Sequence, residues 1–236
     1  MTADQMPARL RLASYNIQKC VGMDLRRQPS RILSVIERLD ADIVVLQEAD
    51  KRLPPRPAAL PHFVLEEAGW QIADLGGAGS LGWHGNAVIW RGQDLSQAAL
   101  DHITLPGLEP RGAVRVEFDT PLGLLRVIGV HLGLMAQSRR QQVQHLAAVT
   151  NDLPEMPTIW AGDFNEWSRQ PVLDKCAPLM RFLEPRPSYP SPRPLGPLDR
   201  FALGGGLNAR AYGVFGERPA SIASDHLPIW VDLVRD

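Results

Sequence analysis

The chain has 236 residues, of which 44% are hydrophobic and 22% are charged, a composition that excludes a disordered protein and is ordinary for a globular one. Its 25 basic and 26 acidic residues give a net charge of -1, so no global positive field exists to hold a long polyanion such as duplex DNA. We expect one globular domain over residues 1–236, for which nucleic acid is not the favoured partner.

The cysteine pattern and the lack of long apolar segments indicate the cellular compartment of the protein. Cys20 and Cys176 stand far apart without a CxxC pattern, which argues against a disulfide framework and against a thiolate metal site. The start, MTADQMPARLRLASYN, has no apolar leader, and no later segment approaches the roughly 18 unbroken apolar residues of a membrane span. We therefore expect a cytoplasmic protein without a membrane span.

The first quarter of the sequence predicts a strand, a helix, a second strand and a loop. LRLASYNI, residues 10–17, alternates as a strand does, and RILSVIERL after Pro29 has apolar residues at helical spacing. DIVVLQEAD is a continuous apolar run with a polar end, which is typical of a strand buried on both faces. The stretch LPPRPAALP contains four prolines in nine residues and predicts a surface loop.

The remainder of the chain predicts mainly strands. WQIADL, NAVIW, QAALDHITL, AVRVEF and LLRVIGVHL are separated by Gly, Pro and Asp and predict antiparallel hairpins. Residues 138–153 predict a helix, PTIWAGDFN predicts a buried strand, and strand-like LDRFAL, LNARAY and HLPIWVDLV close the chain. The proline-rich residues 186–198 predict a loop. Two strand-rich halves suit a sandwich of two sheets.

Several charged and aromatic positions carry no functional prediction. We interpret Arg139 and Arg140 as solvated positions on a helix face. The six tryptophans are interpreted as core residues, with an exposed platform near Trp83 or Trp167 as the alternative. The histidines outside the strand ends are interpreted as structural or surface residues; these are His62, His84, His102 and His145. The position of His84 beside Asn86 leaves open that it borders the pocket.

Polar side chains stand at the ends of several predicted strands. They are Asn16, Gln47 with Glu48, His131, Asp163 with Asn165, Asp199, and Asp225 with His226. Taken singly, each has an ordinary explanation, such as a turn former or a surface ion pair. Taken together, they predict that the strands converge on one polar crevice, where α/β sheets place their ligands.

The residue types in this set indicate phosphate chemistry. Hard oxygen ligands such as Glu48, Asp163 and Asp225 suit Mg²⁺, with Mn²⁺ as the alternative ion. Cleavage of a phosphate ester requires charge neutralisation on the phosphoryl oxygens, an activated water and a stabilised leaving oxygen. Carboxylates, amides and two histidines supply groups for all three demands.

Eight short motifs resemble those of the metal-dependent endonuclease, exonuclease and phosphatase superfamily, and they occur in that family's order. They are SYNIQ, LQE, GNAV, RGAVRVEF, GVHLG, AGDFN, LDRF and SDHLP. The superfamily includes deoxyribonuclease I, abasic-site endonucleases, inositol polyphosphate 5-phosphatases and neutral sphingomyelinases. The resemblance covers nearly the whole chain and implies a four-layer α/β/β/α sandwich of two packed mixed β-sheets flanked by helices.

The resemblance also implies a metal site and a water-activating group. Asn16 and Glu48 would hold the metal, with Asp225 near it or contributing to it. Asp163 and Asn165 would align or deprotonate the attacking water.

Further positions of the resemblance concern the phosphate. His131 and His226 would contact the scissile phosphate, and Asp199 would orient His226. Arg111 is similar to a phosphate-contacting arginine of several members, and Asn86 matches a substrate-side position. No tyrosine stands near Asn86, which disfavours a nuclease.

The sequence as a whole predicts a Mg²⁺-dependent hydrolase of a phosphodiester. Three alternatives stay open: a phosphomonoesterase acting on a small phosphorylated metabolite or a lipid headgroup, a weak nuclease, and a phosphate-binding scaffold without activity.

Overall fold

The computed structural model describes residues 9–51, 55–75, 77, 79–107, 109–169 and 172–235. Within these residues, two sheets of six strands each are formed. The first sheet contains β1 (Leu10–Asn16), β2 (Ile43–Gln47), β3 (Gln71–Ile72), β4 (Ala87–Trp90), β11 (Leu207–Val214) and β12 (Ile229–Arg235). The second contains β5 (Ser96–Leu105), β6 (Arg111–Thr120), β7 (Gly123–His131), β8 (Thr158–Asp163), β9 (Arg181–Phe182) and β10 (Asp199–Gly204). The helices are α1 (Pro29–Arg38), α2 (His62–Glu67), α3 (Ala136–Asp152) and α4 (Ala220–Ala223).

Both sheets are mixed and share one construction. The strand orders are β11-β12-β1-β2-β4-β3 and β5-β6-β7-β8-β10-β9. In each sheet a central pair is parallel, β1 with β2 and β7 with β8, and the pairings around it are antiparallel. Because a parallel pair needs a crossover, a helix follows the first strand of each pair, α1 in one sheet and α3 in the other.

Three apolar clusters define four layers. The cluster between the sheets contains Leu12 and Val45 of the first sheet together with Val127 and Ile159 of the second. Neighbouring strand residues point the other way, because successive side chains of a strand alternate between its faces. They form the two outer clusters, one with α1 and one with α3. The α/β/β/α sandwich expected from the sequence is confirmed.

The two long helices cover the outer faces of the sheets with their apolar sides. In α1, Pro29 occupies the first turn, where its missing N–H leaves no hydrogen bond unmade, and Ile32, Val35 and Ile36 are buried. In α3, Val143 and Leu146 are buried against the second sheet. In the part of the chain that the structure describes, no helix is both long and apolar enough to cross a membrane.

The structure corrects the sequence predictions at short elements. The helices α2 and α4 were not predicted, because six and four residues are too few to show a helical period. Of the strand predicted at WQIADL, only Gln71–Ile72 forms, at the edge of the first sheet. Leu53 and Pro54 of the predicted proline-rich loop lie outside the described residues.

Candidate active site

Strand register gathers the predicted polar residues at one edge of the sandwich. Asn16 and Gln47 are paired at the ends of the parallel strands β1 and β2, and His131 and Asp163 are paired at the ends of β7 and β8. Asp199 starts the antiparallel strand β10 opposite Asp163. Since β12 runs antiparallel to β1, the segment before it also reaches this edge.

A crevice of about 500 Å³ opens at this edge. The predicted site residues line it, with the exceptions of Asn86 and Asp199. Asp199 lies directly behind the lining, where it contacts His226. Five of the six predicted segments thus line one cavity, and Asp199, the sixth, lies behind its wall.

Asp163 lies at the centre of the polar groups. Its Oδ2 accepts a 3.1 Å hydrogen bond from Asn16 Nδ2, and its Oδ1 accepts a 2.8 Å bond from the backbone N–H of Asn165. The same Oδ2 lies 3.5 Å from His131 Nε2 and 3.7 Å from His226 Nε2. The side chain of Asp163 is 2% exposed, so these groups fix its orientation and solvate its charge.

His226 is fixed by a buried carboxylate on the other side of its ring. Its Nδ1 lies 2.9 Å from Asp199 Oδ2, which also accepts a 2.5 Å hydrogen bond from Ser188 Oγ. An ionised carboxylate accepts hydrogen bonds only, so Nδ1 carries a proton. His226 Nε2 consequently faces Asp163 and the crevice.

The two histidines have opposite charge preferences. Burial lowers the pKa of His131 to about 4, in spite of the neighbouring Asp163 carboxylate. Burial acts in the same direction on His226, but the charge and hydrogen bond of Asp199 outweigh it and raise the pKa of His226 to about 10. At neutral pH, His131 is therefore neutral and His226 is a cation with two N–H donors.

The carboxylate of Asp163 is more basic than an ordinary aspartate. Burial raises its pKa, and the charge of Asp199 acts in the same direction. The positive charge of His226, and that of His131 when it is protonated, oppose this shift. Asp163 is consequently a carboxylate suited to accept a proton next to two imidazoles.

The residues predicted to hold a metal ion offer oxygen donors on the crevice surface. Asn16, Glu48 and Asp225 all line the cavity. Burial raises the pKa of the Asp225 carboxyl, the charge of His226 lowers it, and the charge of Glu48 raises it again. Glu48 and Asp225 bring carboxylate oxygens and Asn16 brings an amide to one cavity surface, and oxygen donors are the type that a hard divalent cation prefers.

A second group of potential ligand atoms lies deeper. Atoms of Asp163, Asp199 and His226 lie within 4.8 Å of one another. Their geometry is that of a hydrogen-bonded network, because His226 Nδ1 and Ser188 Oγ both bind the same oxygen of Asp199. Asn16, Glu48 and Asp225 by contrast offer oxygen atoms only, the ligand type that hard divalent cations prefer.

Left-handed backbone conformations are concentrated at the crevice. Lys19, Glu48, His84 and Asn165 all have positive φ values, of 55°, 53°, 49° and 51°. Such conformations are disfavoured for side chains with a Cβ and persist where the surrounding structure enforces them. The sequence signals a turn at Asn165 through the preceding Gly-Asp, but it carries no comparable signal at Glu48.

Arg111 and Asn86 occupy different environments. Arg111 lines the crevice, and its Nη2 is 2.9 Å from Glu109 Oε1. Asn86 is fully buried and its Nδ2 donates a 2.9 Å hydrogen bond to the carbonyl of Gly112, next to Arg111. Asn86 does not line the crevice, and it supports the strand that carries Arg111. A role of Asn86 on the substrate side stays a prediction.

Sequence reasoning missed an ion pair at the mouth of the site. Lys19 Nζ forms a salt bridge with Glu48 Oε2, and both residues line the crevice. Lys19 lies in a short 3₁₀ turn directly after β1. Because Lys19 directly follows SYNIQ, the sequence indicates that it lies near the strand end. The turn that directs its side chain toward Glu48 has no sequence signature.

A buried ion network supports the loop after β8. Arg139 Nε and Nη2 lie 3.3 and 3.1 Å from Glu166 Oε2, and Arg200 Nη2 donates a 2.9 Å bond to the Glu166 carbonyl. Arg139 also donates a 2.5 Å bond to the carbonyl of Leu134 at the crevice rim. The interpretation of Arg139 as a solvated helix position is wrong, because Arg139 is 6% exposed and pairs with the residue that follows Asn165.

An aromatic wall lies beside His226. The ring of Tyr189 is 5.0 Å from the ring of His226, and the ring of Trp167 meets Tyr189 at 5.9 Å and nearly at a right angle. Trp167 is 58% exposed and lines the crevice, so the core interpretation is wrong at this position and the alternative of an exposed platform is correct.

Comparison with known proteins agrees with this geometry. Residues 13–226 match the model of the Endonuclease/Exonuclease/phosphatase family. The chain belongs to this family. Members of the endonuclease/exonuclease/phosphatase family are phosphoesterases, and the resemblance inferred from the sequence motifs is confirmed.

The chain has low sequence identity to individual relatives. It is 30% identical to the protein YbhP of Escherichia coli (strain K12) over 152 residues, which span 57% of this chain and 58% of that relative. An endonuclease/exonuclease/phosphatase from Beutenbergia cavernae is 20% identical, with a TM-score of 0.73 over 96% of this chain and 72% of its own. D. rerio TDP2, solved with a single-strand DNA product, is 15% identical, with a TM-score of 0.76 over 96% of this chain and 99% of its own. These two structures establish the shared fold.

Proposed function

We propose that the chain is a Mg²⁺-dependent phosphoesterase, with a phosphodiester as its first substrate class. The observation that carries this proposal is the arrangement around Asp163, whose Oδ2 lies within 3.7 Å of both His131 and His226 at the floor of a crevice. A buried base between two imidazoles, with carboxylates beside it, supplies the groups that hydrolysis of a phosphate ester needs.

The metal-binding residues in this proposal are Glu48, Asp225 and the Asn16 side-chain oxygen. A divalent cation bound there would neutralise negative charge on the phosphoryl oxygens. The Lys19 ammonium group pairs with Glu48 at the crevice surface and so adds a positive charge beside the proposed metal site. Mn²⁺ is the alternative ion.

Asp163 and Asn165 act on the attacking water. Asp163 has a raised pKa and a fixed orientation, so it accepts the proton of a water that approaches the phosphorus. Asn165 Nδ2 donates a 2.9 Å bond to the carbonyl of Leu132, and its backbone N–H donates to Asp163. These two bonds hold the loop after β8 in place beneath the water.

His226 and His131 act on the phosphoryl oxygens. The Nε2–H group of cationic His226 donates to a phosphoryl oxygen and supplies a proton as the leaving alcohol departs, while Asp199 keeps the ring in position. Neutral His131 and the guanidinium of Arg111 contact the phosphate from other parts of the crevice. The water oxygen forms a bond to phosphorus as the phosphorus–oxygen bond to the leaving alcohol breaks, and a phosphodiester thus yields a phosphomonoester and an alcohol.

Hydrolysis of bis-p-nitrophenyl phosphate tests this function. We expect release of p-nitrophenol with Mg²⁺ or Mn²⁺ and none with EDTA. A parallel assay with p-nitrophenyl phosphate distinguishes diesterase from monoesterase activity, and plasmid nicking measures nuclease activity, which we expect to be weak because the net charge is -1. Absence of metal-dependent hydrolysis of both chromogenic esters would favour a phosphate-binding scaffold without activity.

A further inference from the structure

Lys51, Arg56 and His84 form a part of the crevice that we call the cationic corner. All three residues line the same cavity as Asp163 and His226. Lys51 and Arg56 come from the loop between β2 and α2, and His84 comes from the loop before β4. None of them takes part in the hydrolysis proposed above, so their presence at the cavity surface calls for a separate explanation.

Backbone contacts hold the two ends of the loop together. The N–H of Lys51 donates a 2.9 Å hydrogen bond to the carbonyl of Pro57, and the N–H of Ala59 donates a 2.7 Å bond to the carbonyl of Ala49. These bonds place residues 49–51 beside residues 57–59. Lys51 and Arg56 therefore belong to a closed loop that is fixed at its base.

Arg56 is oriented by a histidine rather than by a carboxylate. Its Nη1 lies 3.2 Å from His84 Nδ1. A guanidinium has no acceptor, so Nδ1 accepts this hydrogen bond and the proton of neutral His84 is on Nε2. Both residues have left-handed backbone conformations, with φ of 54° at Arg56 and 49° at His84, which places them among the strained residues that surround the crevice.

Among the described residues, no carboxylate balances the charges of Lys51 and Arg56. The other cations of the crevice are paired, Lys19 with Glu48 and Arg111 with Glu109. Across the residues that the structure describes, no carboxylate forms an ion pair with Lys51 or Arg56. Two unpaired positive charges facing one cavity attract an anion into it.

We propose that the cationic corner is a subsite for a second anionic group of the substrate, so that the substrates are phosphate esters carrying a further phosphate. The guanidinium of Arg56 supplies the planar pair of donors that binds phosphate in a bidentate manner, and Lys51 adds a mobile charge. This inference rests on the proposed function, because it assigns the scissile phosphate to the residues around Asp163 and the second phosphate to the corner.

The test compares two nucleotides that differ by one phosphate. Thymidine 3′,5′-bisphosphate and thymidine 5′-monophosphate are used as inhibitors of bis-p-nitrophenyl phosphate hydrolysis by the wild-type chain. We expect the bisphosphate to inhibit about tenfold or more tightly, since one charge-assisted contact contributes about 1.5–3 kcal/mol and tenfold corresponds to about 1.4 kcal/mol. Arg56→Gln is expected to bring the ratio of inhibition constants close to one.

Arg140→Gln is the matched control, because Arg140 is exposed on α3, outside the crevice, and undergoes the same loss of charge. It should retain both the activity and the ratio of the wild-type chain. Equal inhibition by the two nucleotides in the wild type, or an unchanged ratio in Arg56→Gln, would overturn the subsite. If the wild type does not hydrolyse the diester, the proposed function fails. Calorimetric titration then measures the dissociation constants of the two nucleotides, and the ratio of these constants in the wild type and in Arg56→Gln tests the subsite independently of activity.

Discussion

Asn16 Nδ2 donates a 3.1 Å hydrogen bond to Asp163 Oδ2, and the two residues are 147 positions apart in the sequence. The bond connects the end of β1 in the first sheet to the end of β8 in the second. The base of the candidate site is thus oriented by the opposite sheet, and its geometry depends on how the two sheets pack.

Replacement of Asn16 tests this connection. Asn16→Ala removes a donor to Asp163 and an oxygen from the proposed metal site, so we expect kcat to fall about 10- to 100-fold, with an increased requirement for Mg²⁺. The measurement is the rate of diester hydrolysis against Mg²⁺ concentration. Asn151→Ala, at an exposed position of α3, is the control and should behave as the wild type. An Asn16→Ala enzyme with unaltered kcat and Mg²⁺ dependence would show that the bond has no role in activity.

Asp199→Asn tests the orientation and charge of His226. The charge and hydrogen bond of Asp199 keep the pKa of His226 at about 10 against the effect of burial. Because the proposed mechanism uses protonated His226, we expect the rate to fall as the pH rises through this pKa. With asparagine at position 199 the pKa of His226 decreases, so the fall begins at lower pH.

The pH–rate profiles of the two proteins check this prediction. Below the pKa of His226 in both proteins, we expect Asp199→Asn to reduce kcat about 10- to 100-fold through lost orientation of the ring. Overlapping alkaline limbs would mean that His226 does not act as the proton donor.

Glu48→Gln tests the metal site. An ion that binds only the folded state raises the melting temperature, and removal of a carboxylate ligand weakens that effect. We expect Mg²⁺ to stabilise the wild-type chain against heat and to have little effect on Glu48→Gln. Glu67→Gln, exposed on α2, removes the same charge elsewhere and should preserve the Mg²⁺ response. Equal stabilisation of all three proteins would place the metal away from Glu48.

Arg139→Leu tests the ion network behind the loop after β8. Loss of the guanidinium leaves Glu166 buried without its partner, and breaking a buried pair in this way costs about 3–5 kcal/mol. We expect a corresponding decrease in the free energy of unfolding in urea, together with a lower kcat because Asn165 directly precedes Glu166. Arg140→Leu, the exposed neighbour, should cost little. A destabilised Arg139→Leu protein with full kcat at low temperature would limit the network to a structural role.

The sequence predicted the parts of the molecule that depend on local pattern and on strand ends. Asn16, Glu48, His131 and Asp163 follow or end apolar runs, and strand pairing brings such positions to one edge. The apolar periodicity of α1 likewise predicted its buried face.

Features created by long-range contact left no such pattern. The partner of Arg139 lies 27 residues away in a loop, and the salt bridge of Lys19 with Glu48 depends on two residues in left-handed conformations. Trp167 has a large apolar side chain of the kind usually found in a core, but it is exposed because it lies in the loop after β8 at the crevice rim. These positions are determined by the packed loops rather than by their own sequence neighbourhoods.

The most direct measurement of the central claim is Mg²⁺-dependent hydrolysis of bis-p-nitrophenyl phosphate by the wild-type chain and by Asp163→Asn, with circular dichroism to verify that both are folded. The account predicts activity that EDTA abolishes and that Asp163→Asn lowers about 100-fold or more, as expected for loss of a general base. An equally active Asp163→Asn protein would contradict it.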